Sequence, residues 1–283
     1  MAIKIPVQDR VSAYPGRVKL TPVTGQDNIY TMERADSPVI EGTPINKDLL
    51  DNKAYTLTKD VTLYVSTNGS DGDGDGSSSA PFKTIQKAVD ALPKHLGGCI
   101  AEISIDWGVY SERVVVEGFT SGRLVLSKPG ELAIVKGGVD IINSSFVETN
   151  IYQIERNTDS DKPLLVVQDG SNVLIGSDVI LDGINAGIAG MRVERNSHVV
   201  TGDGVTLTCN NCTMAVLATW CSFVSLSELT GSGNIFGMYA TQGAIVSYNI
   251  DTLSKDWSNH ADSGGLVLTG SNSSDLSDAT LDL

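Results

Sequence analysis

Between residues 165 and 247 the sequence repeats itself, and a chain repeating at this period has few folds open to it. Four segments align: LVVQDGSNVLI, MRVERNSHVVT, AVLATWCSFVS and GMYATQGAIVS. Matched on Val167, Val193, Leu217 and Tyr239, they step by 26, 24 and 22 residues. Six residues further on, Val173, Val199, Phe223 and Ile245 are apolar again. Between these two columns Ser171, Ser197, Cys221 and Gly243 are all small. A third apolar column, Val179, Val205 and Leu229, is broken at Asp251. Stacked coils of short strands require this pattern, because each coil buries its inner side chains only on the coils about 4.8 Å above and below. A two-sheet sandwich also has short strands, but nothing in it keeps successive columns in step. The pattern predicts a parallel β-helix.

Such a stack needs something over its open end, where core and unpaired strand edge are exposed. Residues 63–93, LYVSTNGSDGDGDGSSSAPFKTIQKAVDALP, supply a candidate. Leu63-Tyr64-Val65 reads as a short strand, and residues 69–79 hold only Gly, Ser and Asp, which makes them a solvated, flexible loop. Pro81 stands where a helix starts. Ile85, Ala88, Val89 and Leu92 then form one apolar stripe, and Pro93 ends it. Together with Gly108-Val109-Tyr110-Ser111-Glu112-Arg113-Val114, this stretch resembles the N-terminal cap of right-handed parallel β-helix proteins of the pectate-lyase and pectin-esterase superfamily. It is similar above all to versions in tail and baseplate proteins of phages and prophages. The motifs cover about residues 60–120; beyond them the likeness is one of pattern.

Around this centre the chain divides into four parts. Residues 1–55 carry Pro6, Pro15, Pro22, Pro38 and Pro44, spaced so as to forbid a long helix or a central strand. Short patches there, such as Arg17-Val18-Lys19-Leu20, suit addition to another protein's sheet. The run from Tyr14 to Asp51 also resembles the N-terminal segment of tail-associated proteins of phages from Gram-positive hosts, which implies docking to phage tail or baseplate proteins. Residues 56–120 read as cap and first coil, 121–270 as the parallel β-helix, and 271–283 as a Ser/Asp/Asn-rich C-terminal tail. Residues 143–162 break the rhythm and read as an excursion. The fold class expected is all-β: a right-handed parallel β-helix with a short N-terminal capping helix, preceded by an extended docking segment.

Charge restricts the partners. The net charge is −14 with no Lys/Arg cluster, which argues against nucleic acid and anionic membranes. MAIKIPVQDR lacks the apolar core of a signal peptide, and no apolar run reaches the roughly 18 residues of a membrane span. Both fit assembly in the host cytoplasm and a place on the virion.

The superfamily that the chain resembles contains lyases, hydrolases and esterases, which would imply catalytic motifs. The pectin-esterase, polygalacturonase and pectate-lyase motifs are missing; Asn157-Thr158-Asp159 matches three letters of the second and is followed by Ser160. Asp178, Asp203 and Glu228 recur one coil apart, and stacked carboxylates could act as acid and base on a glycoside. The plainer reading makes them turn residues before strands. Asp71, Asp73 and Asp75 match the first half of an EF-hand loop, but Phe82 stands where its closing Glu belongs. Cys209 and Cys212 imitate half a zinc site that Cys221 and His198 could complete; free thiols packed in a solenoid are the plainer reading. No catalytic, cofactor-binding or metal residue is assigned.

The function expected is that of a structural virion protein, a tail fibre or spike subunit acting as a homotrimer in attachment to host cell-surface glycan. Exposed apolar residues such as Trp220 and Ile235 would mark contacts between copies or with a neighbouring protein. The rivals are a polysaccharide depolymerase on the same fold and a bacterial surface glycan-binding protein.

Overall fold

The computed structural model describes residues 11–12, 18–22, 30–34, 38–40, 56–127, 132–157, 160–184, 187–249 and 259–269. The chain divides into two compact units, Ala2–Ala54 and Tyr55–Leu283. In the first, Val18–Pro22 pairs antiparallel with Tyr30–Arg34, and Val11–Ser12 with Pro38–Ile40. The patch Val18-Lys19-Leu20, expected to join another protein's sheet, therefore has one edge taken by its own chain.

The second unit is a parallel β-solenoid of about 6 turns, nearly all β, with one helix among the described residues. Three sheets run its length. Sheet I has nine strands, beginning with Val61–Val65, Ile100–Ile105 and Arg123–Ser127 and ending at Leu266–Thr269. Sheet II has six, from Gly108–Tyr110 to Glu228–Thr230. Sheet III has seven, from Val114–Glu117 to His260–Ala261. Residues 143–157 are no excursion: Val147–Thr149 and Gln153–Glu155 sit in register in sheets I and II. Short strands of three residues, not a departure from the coil, hid the rhythm there.

The columns exist, but all three depart from the sequence alignment at one or more rungs. Val167 pairs with Val193, as expected, but Val193 pairs with Ala218 and Ala218 with Ala240. Leu217 and Tyr239 are partners of each other on the outer face, next to Arg192. The second column is likewise Val147, Val173, Val199, Val224, Val246 and Val267, so Phe223 and Ile245 face outward. In the third column Val179 meets Leu207 and then Leu229; Val205 precedes the strand. Asp251 lies outside the described residues. Because side chains alternate along a strand, a slip of one residue turns the whole set inside out. In the first two columns the interior keeps valines and two alanines, and Leu217, Tyr239, Phe223 and Ile245 lie outside.

The same shift changes the small corner between sheets III and I. Its members are Ser144, Ser171, Ser197, Ser222 and Ala244, all buried. The backbone N–H of Ser144 donates to Ser171 Oγ at 3.1 Å, that of Ser171 to Ser197 Oγ at 3.2 Å, and that of Ser197 to Ser222 Oγ at 3.3 Å. A ladder of hydroxyls thus satisfies backbone donors that the bend removes from the sheets.

The N-terminal end is closed by helix α1, Ile85–Ala91, whose Ile85, Ala88 and Val89 are buried, with Leu92 behind them. The helix starts four residues after Pro81, because Thr84 is its N-cap and accepts from Lys87 N–H at 3.2 Å. Glu112, from the motif after the first strands, accepts from the N–H groups of Ile85 and Gln86 at 2.8 and 2.9 Å. Gln86 in turn accepts from Val115 N–H and donates to Val115 O, at 2.6 and 3.2 Å. Val115 lies on the terminal strand of sheet III, so one amide side chain occupies the position of the next strand. Arg113 Nε donates to Asp140 at 2.7 Å, and its Nη1 to Gly137 O at 2.6 Å, tying the first coil to the second. The two stretches that carried the family resemblance are joined as parts of one plug.

Candidate functional site

A cleft of about 450 Å³ opens between the glycine-rich loop and the outer face of sheet I. Its floor follows from strand alternation. Ala101, Ile103 and Ile105 enter the core, which turns Glu102, Ser104 and Asp106 outward. The neighbouring strand is in register, Thr62 opposite Glu102 and Tyr64 opposite Ser104, and Ser66 continues the row beside Asp106. Ser78 and Pro81 of the loop form the wall.

The loop is not a solvated connector. Tyr64 N–H donates to Gly76 O at 2.8 Å, Phe82 N–H to Tyr64 O at 2.9 Å, and Ser66 N–H to Phe82 O at 2.9 Å. It therefore closes the outer edge of Val61–Val65 as a strand would. Glycine is what allows the approach: a Cβ on Gly69 would lie 2.3 Å from Phe82 O, and Gly76 has φ of 82°.

Side chains in the floor are held by one another. Glu102 accepts from Ser127 Oγ at 2.6 Å and from Thr62 Oγ1 at 3.4 Å. Asp106 accepts from Ser66 Oγ at 3.3 Å and from Trp107 N–H at 2.9 Å. Tyr64 is 38% exposed and offers an aromatic face between these polar rows. The lining includes no Lys, Arg or His. Along the strand the α-carbons of Glu102 and Asp106 are separated by about 13 Å, which spans a ligand and does not resemble an acid–base pair closed on one bond. Sequence reasoning missed this site because its two strands lie about 40 residues apart, and each row is made of ordinary Thr, Ser, Tyr and Glu.

The residues singled out from the sequence are placed elsewhere. The middle rung between Asp178 and Glu228 is held by Thr206 and not by Asp203: the Thr206 N–H donates to Asp178 at 2.8 Å and its hydroxyl to Glu228 at 3.0 Å. Asp203 lies in the turn before that strand, out of the column. Asp71 accepts from the N–H groups of Lys83 and Thr84, at 2.8 and 3.0 Å, and from the Thr84 hydroxyl at 2.8 Å. Burial raises its carboxyl, but these hydrogen bonds together outweigh that and hold it below the ordinary value. Asp75 accepts from Ser77 N–H at 2.9 Å and Asp73 from Ser70 Oγ at 3.3 Å, so these two serve local turns while Asp71 ties the loop to the start of the helix. Cys209 and Cys212 are buried beside Gly190; burial pushes the Cys212 thiol up to about 12 and raises the Cys209 thiol well above its ordinary value. Cys221 is exposed at the III–I corner and His198 lies on sheet I. Among the described residues no group of three or more His, Cys, Asp or Glu is placed to hold a metal. Thr158 and Asp159 lie outside the described residues. No described helix is long and apolar enough to cross a membrane.

No family model, curated protein or solved structure matches this chain.

Proposed function

We propose that this protein is a structural subunit of a phage or prophage tail, a fibre, spike or baseplate-associated protein that attaches to host cell-surface glycan. In this reading residues 1–55 dock to tail or baseplate proteins, the solenoid acts as a homotrimer on the virion, and the cleft of sheet I meets the glycan. The observation that carries it is the cleft: hydroxyls, carboxylates and one aromatic face fixed on a stiff parallel sheet, suited to binding without turnover. The plug supports it too, since the sequence that resembles tail-protein caps is here occupied in closing the fold. Trp220 and Ile235 lie at opposite ends of neighbouring sheet III strands and would border a contact between copies along that sheet.

The test is complementation of a phage lacking this protein. The chain without residues 1–55 is expected to stay soluble and folded but to be missing from virions by mass spectrometry. Tyr64→Ala is expected to be incorporated and to lower adsorption. Asp178→Asn and Asp203→Asn are expected to leave adsorption and host glycan unchanged. Normal incorporation of the truncated chain would move docking elsewhere, and loss of glycan clearing in either Asp variant would replace this reading with the depolymerase.

A further inference from the structure

The geometry points to an uncharged saccharide as the ligand of the sheet I cleft, with Tyr64 as the stacking platform and Glu102 and Asp106 as acceptors for its hydroxyls. The inference deepens the attachment reading by naming a ligand class, and depends on it only for where that saccharide is found.

Three features select the class. First, charge: two carboxylates face the cleft without a lining cation, in a chain of net charge −14, so a uronate, phosphate or sulfate would enter against both local and overall repulsion. Second, hydrogen-bond supply: the carboxylates only accept, whereas Thr62, Ser66, Ser104 and Tyr64 donate or accept. A ligand matching this floor must carry many groups that do both, as ring hydroxyls do. It must also present an apolar face to Tyr64, which the C–H side of a sugar ring supplies. Third, the backbone: Val61–Val65 is paired with Ile100–Ile105 on one edge and with the loop at Gly76 and Phe82 on the other. An extended peptide therefore finds no main-chain edge to add to. The carboxylates would still attract a basic peptide, and that is the rival to be tested.

Purified full-length protein would be titrated with neutral oligosaccharides of glucose, galactose, rhamnose and N-acetylglucosamine, with oligogalacturonate, and with oligolysine. At least one neutral saccharide is expected to bind, with affinity falling about tenfold or more in Tyr64→Ala. Ser78 is exposed on the wall, so Ser78→Trp should block the cleft without touching the sheet, and it guards against misfolding of the first variant. Oligogalacturonate or oligolysine binding more tightly than every neutral sugar would overturn the inference, as would absence of any neutral binding that both variants abolish. Failure here with adsorption still dependent on the protein would sink the ligand assignment alone. Saccharide binding without any effect of these variants on adsorption would keep the site and sink the attachment reading.

Discussion

At the corner between sheets III and I, successive coils turn through two residues at positive φ: Asp169-Gly170, Arg195-Asn196, Trp220-Cys221, Gln242-Gly243 and Ser263-Gly264. Glycine takes the second position in three of the five, and Cys221 holds it with φ of 56°. An L-residue there costs roughly 1–2 kcal/mol relative to glycine's freedom. Cys221 returns little, since its Sγ stands 3.8 Å from Gln242 O at an exposed position. Cys221→Gly is therefore expected to stabilise the protein by about 1 kcal/mol, read as a higher urea midpoint at constant slope. Trp220 before it is strained as well, but the Arg195 guanidinium lies over its ring at 5.3 Å. The corner was legible as a run of small letters. Which letter faces inward was not, because serine beside cysteine, or alanine beside glycine, leaves the choice to hydrogen bonding.

At the scale of elements, the plug depends on two carboxylates with opposite tendencies. Asp71 gathers three hydrogen bonds beside the N-terminus of α1, while burial raises the Glu112 carboxyl despite its bonds to Ile85 and Gln86. A carboxyl held below its ordinary value stabilises the fold above that value and loses this as pH falls through the lowered one. Asp71→Ala should thus cost about 1 kcal/mol near neutral pH, and its deficit should shrink as pH drops below the ordinary 3.8. Thermal unfolding of both proteins across that range would check it; a deficit independent of pH would mean that Asp71 acts only by packing. The helix was readable because its stripe is local, but its start was not, since Thr84 and Asp71 displace Pro81 from that role. The cleft was unreadable for the opposite reason: nothing local pairs Thr62 with Glu102 or Tyr64 with Ser104. Only the solenoid's register does so.

For the whole molecule, the period was legible and the register was not. Leu217 and Ala218 are both apolar, and matching by hydrophobicity prefers the larger; the register of the strand turns the smaller one inward. Residues 1–55 and the two two-stranded sheets described there fall in the part of the chain where pattern gives least, since proline spacing excludes elements without specifying any. Each coil touches only its neighbours, and both ends of such a stack are chemically alike to a strand in search of a partner. An open end of parallel coils is, in this respect, the growing tip of a cross-β fibre, where identical rungs add without limit. At the Val115 rung Gln86 spends its amide on the N–H and the C=O that an arriving chain would need. The loop does the same for Val61–Val65 through Gly76 and Phe82. The plug is thus a chain terminator in the polymer sense, and it keeps one end of a molecule built like a filament from becoming one.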